Sequence, residues 1–130
     1  MIKFAYTILY VADVTKSMAF YGKAFGFKRT FVAPDNSYGE LATGPTTLSF
    51  ASVELAKSNL KDGFIQSKMK SKPFAIEIAF ATDDVDMVYN AAIKAGATAE
   101  SPTTVKPHGQ TVAYVRDLDG FLVEICTPMG

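Results

Sequence analysis

The chain has 130 residues, 48% of them hydrophobic and 10 of them Phe, which suffices for one domain or for two small halves sharing a core. Thirteen basic and thirteen acidic residues cancel, which excludes a global attraction to nucleic acid or to an anionic membrane. The lone cysteine, Cys126, excludes an internal disulfide and points to a reducing compartment.

Residues 2–11, rich in aromatic and β-branched side chains, predict a first strand. Both of its faces are fairly apolar, as for a sheet packed on one side and lining a cavity on the other. Thr15 is a possible N-cap for a helix over 16–25, with Met18, Tyr21 and Phe25 toward the core and Gly26 as the stop. Strands are expected at 27–32, 38–42 and 46–51, separated by turns at 34–37 and at Gly44-Pro45. A polar stretch follows, with short helical turns expected near 53–58 and 63–70. Its lysines between Lys57 and Lys72 are interspersed with Ser, Asp, Gln and Gly and read as a solvated connector.

The order then restarts. A strand is expected at 74–81, then a helix over 85–95 capped by Asp84 and stopped by Gly96. A short edge strand at 98–100 is expected to end at Ser101-Pro102. Strands at 110–116 and 121–127 form a hairpin across Asp117-Leu118-Asp119-Gly120. A shift of 71 positions lays Asp84-Val85 on Asp13-Val14 and Glu77 on Tyr6, and the closing strands lay Glu124 on Ser49. The chain therefore reads as one domain, 1–130, built from a module at 1–55, a connector at 56–72 and a second module at 73–130.

Strand alternation assigns faces. Ile76, Ile78 and Phe80 belong to the packed side and Glu77 to the other, flanked by Ala75, Ala79 and Ala81. Likewise Val123 and Ile125 pack while Glu124 and Cys126 point away, and Phe4, Tyr6, Ile8 and Tyr10 share the face equivalent to that of Glu77. Two carboxyls close together on an apolar sheet raise one another's proton affinity or invite a cation. The tyrosines suit stacking on a flat ligand, and Ser49 offers a weak donor and acceptor. Cys126 reads as a small packed side chain. His108, in the Lys106-Pro107-His108-Gly109 turn, reads as a loop or rim residue that could touch a ligand.

Three pieces of the chain carry a resemblance. They are Ala12-Asp13-Val14 through Phe25-Gly26-Phe27; Glu77-Ile78-Ala79-Phe80 with Asp83-Asp84-Val85-Asp86; and Gly109-Gln110 through Arg116-Asp117-Leu118-Asp119-Gly120-Phe121 and Glu124. Together they resemble the vicinal oxygen chelate superfamily, which includes glyoxalase I, bleomycin-resistance proteins and extradiol dioxygenases. The resemblance implies an α+β fold of two βαβββ modules whose sheets curve into a cup with helices outside, often as a homodimer. It implies ligand positions at Tyr6, Ser49, Glu77 and Glu124, of which only Glu124 keeps the family's residue type.

The expectation that follows is a small-molecule binding protein without the usual histidine-based metal centre, its ligand touched by Tyr6, Tyr10, Ser49, Glu77, Glu124 and His108. The alternative is a lyase or dioxygenase relative in which Glu77 and Glu124 act catalytically around a divalent Mg, Mn, Zn or Fe ion. A structural or partner-binding role is the third reading. No run approaches the ~20 apolar residues of a membrane span. The start of the sequence lacks a signal-peptide pattern, so a cytoplasmic location is expected, with neither nucleic acid nor membrane as partner.

Overall fold

The structure, a computed structural model, describes residues 1–129. The order is β1 (Tyr6–Val11), α1 (Val14–Phe25), β2 (Lys28–Val32), β3 (Tyr38–Ala42), β4 (Thr47–Ser52), α2 (Val53–Asn59), β5 (Glu77–Ala81), α3 (Val85–Ala95), β6 (Thr98–Val105), β7 (Thr111–Arg116) and β8 (Leu122–Cys126). This is the expected α+β order, βαβββ twice, with α2 between the copies. The chain divides into two compact units, residues 1–22 with 26–66, and residues 23–25 with 67–130.

In the first unit the sheet runs β1-β4-β3-β2, with β1 parallel to β4 and the other pairs antiparallel. Leu9 and Val11 of β1 and Leu48 and Phe50 of β4 are buried, as is Tyr21 of α1, whose ring lies 5.3 Å from that of Phe50. The opposite face carries Tyr6 and Ile8, both exposed. Alternation thus sorts the strand as its sequence requires.

Gly39, buried in β3, permits a close approach: an added methyl would overlap the Met18 sulfur and come within 3.3 Å of the Phe31 carbonyl oxygen. Gly39→Ala is therefore expected to lower stability by about 1–3 kcal/mol, as overpacked cores do. Denaturant midpoints would read the loss, and an unchanged midpoint would mean that Met18 swings aside freely.

The second unit repeats the plan as β5-β8-β7-β6, with β5 parallel to β8. Val115, Val123 and Ile125 are fully buried. Phe80 of β5 packs on Phe25 at 4.8 Å between ring centroids. Arg116 is buried and ties the end of β7 to the segment before β5. Its guanidinium donates to the carbonyls of Gly120, Met69, Lys68 and Ser71 at 3.0, 3.4, 3.1 and 2.8 Å. Asp117 stiffens the same turn by accepting from the backbone N–H groups of Asp119 and Phe121, each at 2.9 Å.

Four local expectations need correction. The first strand begins at Tyr6, not Ile2, and residues 1–4 are exposed. The cap of α1 is Asp13, whose carboxylate accepts from the Lys16 N–H at 3.1 Å; Thr15 donates its own hydroxyl to Asp13 instead. An ionised carboxylate is the stronger acceptor, and it sits at the position from which it reaches the third N–H of the helix. No helix forms over 63–70, where the carbonyls of Lys68 and Met69 are drawn off to Arg116. Strand β6 runs through Ser101-Pro102 to Val105. It is an edge strand, where Pro is tolerated, and its register shifts on either side of Ser101.

Candidate functional site

The strand registers make the two modules directly comparable. In the first, Ser49 lies beside Ile8 on one side and Glu40 on the other; in the second, Glu124 lies beside Ala79 and Tyr114. Tyr6 and Glu77 each stand two residues before the β1 or β5 partner. The equivalences Tyr6 with Glu77 and Ser49 with Glu124 therefore hold in the strand pairing. A third appears that the sequence reading did not single out, Glu40 with Tyr114.

In the second module these positions form one polar cluster. Tyr114 faces Glu124 across the antiparallel pair and donates its hydroxyl to Oε1 of Glu124 at 2.9 Å. Glu77 comes to the same group from the start of β5, close enough to Glu124 and Tyr114 for both to act on its proton affinity. The flanking Ala79 and Ala81 leave the carboxyls unobstructed.

Partial dehydration, the hydrogen bond to Glu124 and the charge of Glu124 push Glu77 up to about 7, against an ordinary value of 4.5. For Glu124, dehydration also pulls upward. Hydrogen bonds from Glu77, Tyr114 and Cys126, with the charge of His108, outweigh it and hold Glu124 below the ordinary range. One carboxyl thus keeps a proton that the other, ionised, accepts. Dehydration, then the hydrogen bond and charge of Glu124, lift Tyr114 to about 12, so it remains a donor. Cys126, on the same face of β8, is pushed up by burial first and by Glu124 next, and stays a thiol.

His108 lies on the exposed turn before β7, its Nε2 2.7 Å from Oε1 of Gln110. Gln110 is itself held by the Thr127 carbonyl at 2.7 Å. His108 therefore stands in a loop, felt by Glu124 through its charge.

In the first module Ser49 is fully buried. The Tyr38 hydroxyl lies 2.7 Å from Oε2 of Glu40 and 3.1 Å from the Ser49 oxygen. Dehydration is the main cause that raises Tyr38, with Glu40 and Tyr6 adding to it. The Tyr10 ring stands edge-on to that of Phe64, with centroids 4.9 Å apart. The sequence reading singled out Tyr6, Ser49, Glu77 and Glu124 and did not single out Tyr38, Glu40 and Tyr114. The signal was available. Tyr38-Gly39-Glu40 alternates around a buried glycine, and Tyr114 falls on Glu40 once the modules are laid in register.

Among the described residues no group of three or more His, Cys, Asp or Glu side chains is gathered closely enough to hold a metal ion. In the second module the two carboxyls, Glu77 and Glu124, stand with the Tyr114 phenol. The equivalent positions of the first module hold a phenol and a hydroxyl, both neutral. Glu77 and Glu124 are thus the anionic donors of the second-module cluster, fewer than a tightly held divalent ion takes without help from water. Among the described residues no helix is long and apolar enough to cross a membrane.

The model of the Glyoxalase/Bleomycin resistance protein/Dioxygenase superfamily matches residues 3–125. A lactoylglutathione lyase of Arabidopsis thaliana is 30% identical over 128 residues, covering 95% of this chain and 43% of that protein. The chain thus spans less than half the length of the curated relatives it matches. A glyoxalase-related enzyme from Fulvimarina pelagi has a TM-score of 0.84 at 23% identity, covering 100% of this chain and 94% of that one. A hypothetical protein from S. aureus has a TM-score of 0.81 at 26% identity, covering 98% and 95%. From Lys3 to Ile125, this chain belongs to the Glyoxalase/Bleomycin resistance protein/Dioxygenase superfamily.

Proposed function

We propose that this protein binds a small organic molecule at the Glu77–Glu124–Tyr114 cluster, without a histidine-based metal centre. The observation that carries the reading is the Tyr114 hydroxyl donating to Glu124 at 2.9 Å beside a second carboxyl, Glu77, on an open sheet face. Glu77, pushed up to about 7, supports it as a donor next to Glu124, which is held below the ordinary range. Such a pair can donate to one polar atom of a ligand and accept from the next. The homodimer that the family implies is part of this proposal. The test is a ligand screen followed by thermal shift on the wild type and on Glu124→Gln. Ligands found with the wild type should lose at least about tenfold in affinity in the variant, as expected when a charged hydrogen bond is removed. Full retention of affinity would overturn the reading.

A second reading rests on the 30% identity to lactoylglutathione lyase. It has Glu77 and Glu124 give up their proton to hold a divalent ion with water and act in lyase chemistry. Incubation with Mg²⁺, Mn²⁺, Zn²⁺ or Fe²⁺ should then raise the melting temperature of the wild type and not of Glu124→Gln. A wild type unmoved by all four ions contradicts it.

A further inference from the structure

The first sheet's open face has a chemistry of its own. Glu40 stands in the middle of β3, opposite Ser49. A phenol has one proton, and the 2.7 Å contact assigns that of Tyr38 to Glu40. The Ser49 oxygen lies 3.1 Å from the same hydroxyl. Tyr38 thus links Ser49 to the carboxylate. Tyr38 and Ser49 are both neutral, so the charge of Glu40 is held in place without being cancelled, and its other oxygen retains acceptor capacity.

Around this carboxylate the sheet presents aromatic surface. Tyr6 is 52% exposed and Phe31, the register partner of Glu40 on β2, is 48% exposed. The Phe31 and Tyr38 rings are 6.3 Å apart. A solvated sheet face alternates to polar side chains, and this one does not. The faces of aromatic rings attract cations through their quadrupoles. A neutral apolar ligand would strip water from Glu40 and leave it unpaired, which is unfavourable, and an anion would be repelled.

We propose that this face is a binding site for a small organic cation, with Glu40 as its counter-charge and Tyr6, Phe31 and Tyr38 as its aromatic wall. All four residues belong to the first module, so the proposal stands or falls independently of Glu77 and Glu124.

The test uses benzyltrimethylammonium as the probe, with phenylacetate as an anion of similar size, followed by amide NMR shifts of the full chain. The cation should shift amides of β3 and β4 saturably, and phenylacetate should not. Glu40→Gln should weaken the cation at least about fivefold, within the range known for cation contacts of this type. Glu54→Gln, which removes a charge from the exposed side of α2, should leave it unchanged. If Glu40→Gln does not fold, Tyr6→Leu at an exposed position should show a smaller weakening. A cation that leaves β3 and β4 unshifted, binds no better than phenylacetate, or keeps its affinity in these variants overturns the proposal.

Discussion

Replacing Arg116 by Met is expected to destabilise the protein by about 3 kcal/mol or more, the scale for breaking a buried charged network. Arg116 is 7% exposed, and its guanidinium satisfies four backbone carbonyls in two chain segments. Methionine would fill some of the volume but leave those carbonyls without donors. Arg116→Lys should recover less than half of the loss, because one ammonium cannot span a planar fork of donors. Gly120 tests the same joint from the other side. Its φ is +91°, and an added methyl would come within 2.9 Å of both an Arg116 nitrogen and the Lys68 backbone. Denaturant midpoints of the full chain decide the matter. A loss under about 1 kcal/mol for Arg116→Met, typical of a surface change, would mean that the network holds nothing together.

Glu124→Gln is expected to move the titration of Glu77 down from about 7 toward the ordinary carboxyl range. The substitution removes the charge and the anionic acceptor that hold the Glu77 proton, while dehydration, the first cause of its shift, persists. Glu77 should therefore settle somewhat above 4.5, its ordinary value. The same pair shapes stability against pH. Glu77 is raised on folding, so its contribution is fully present below 4.5 and is lost as pH rises through 7. Glu124 is lowered on folding, so its contribution is present above 4.5 and is lost as pH falls through its own lowered value. Stability from the pair should peak near 4.5, and the decline between 4.5 and 7 should flatten in Glu124→Gln. Glu77 is exposed, so solvent screening keeps this stability effect well below about 1 kcal/mol. The titration itself is the larger signal.

Much of the fold was legible because its signals are local. Helix α3 is bounded by Asp84 and Gly96, as the cap and stop residues indicate. The period of two sorted Glu77 from Ile78 and Glu124 from Ile125. The missed features depend on partners distant in sequence. Nothing around residues 63–70 announces that the carbonyls of Lys68 and Met69 are drawn to a guanidinium 48 and 47 positions later. Backbone carbonyls have no sequence signature, so a buried arginine that binds only carbonyls reads as an ordinary turn residue. Glu40 and Tyr114 were hidden differently. Each lies on a strand whose alternation was visible, but its importance appears only when β3 and β7 are paired with β4 and β8.

The central claim is that Glu77 and Glu124 form one coupled carboxyl pair in which Glu77 holds its proton well above the ordinary range. A pH titration of the side-chain carboxyl carbons of the wild-type protein by NMR tests it most directly. The account predicts that Glu77 titrates near 7 while Glu124 titrates below the ordinary range, each sensing the other's transition. Two independent titrations, both near the ordinary 4.5, would contradict it.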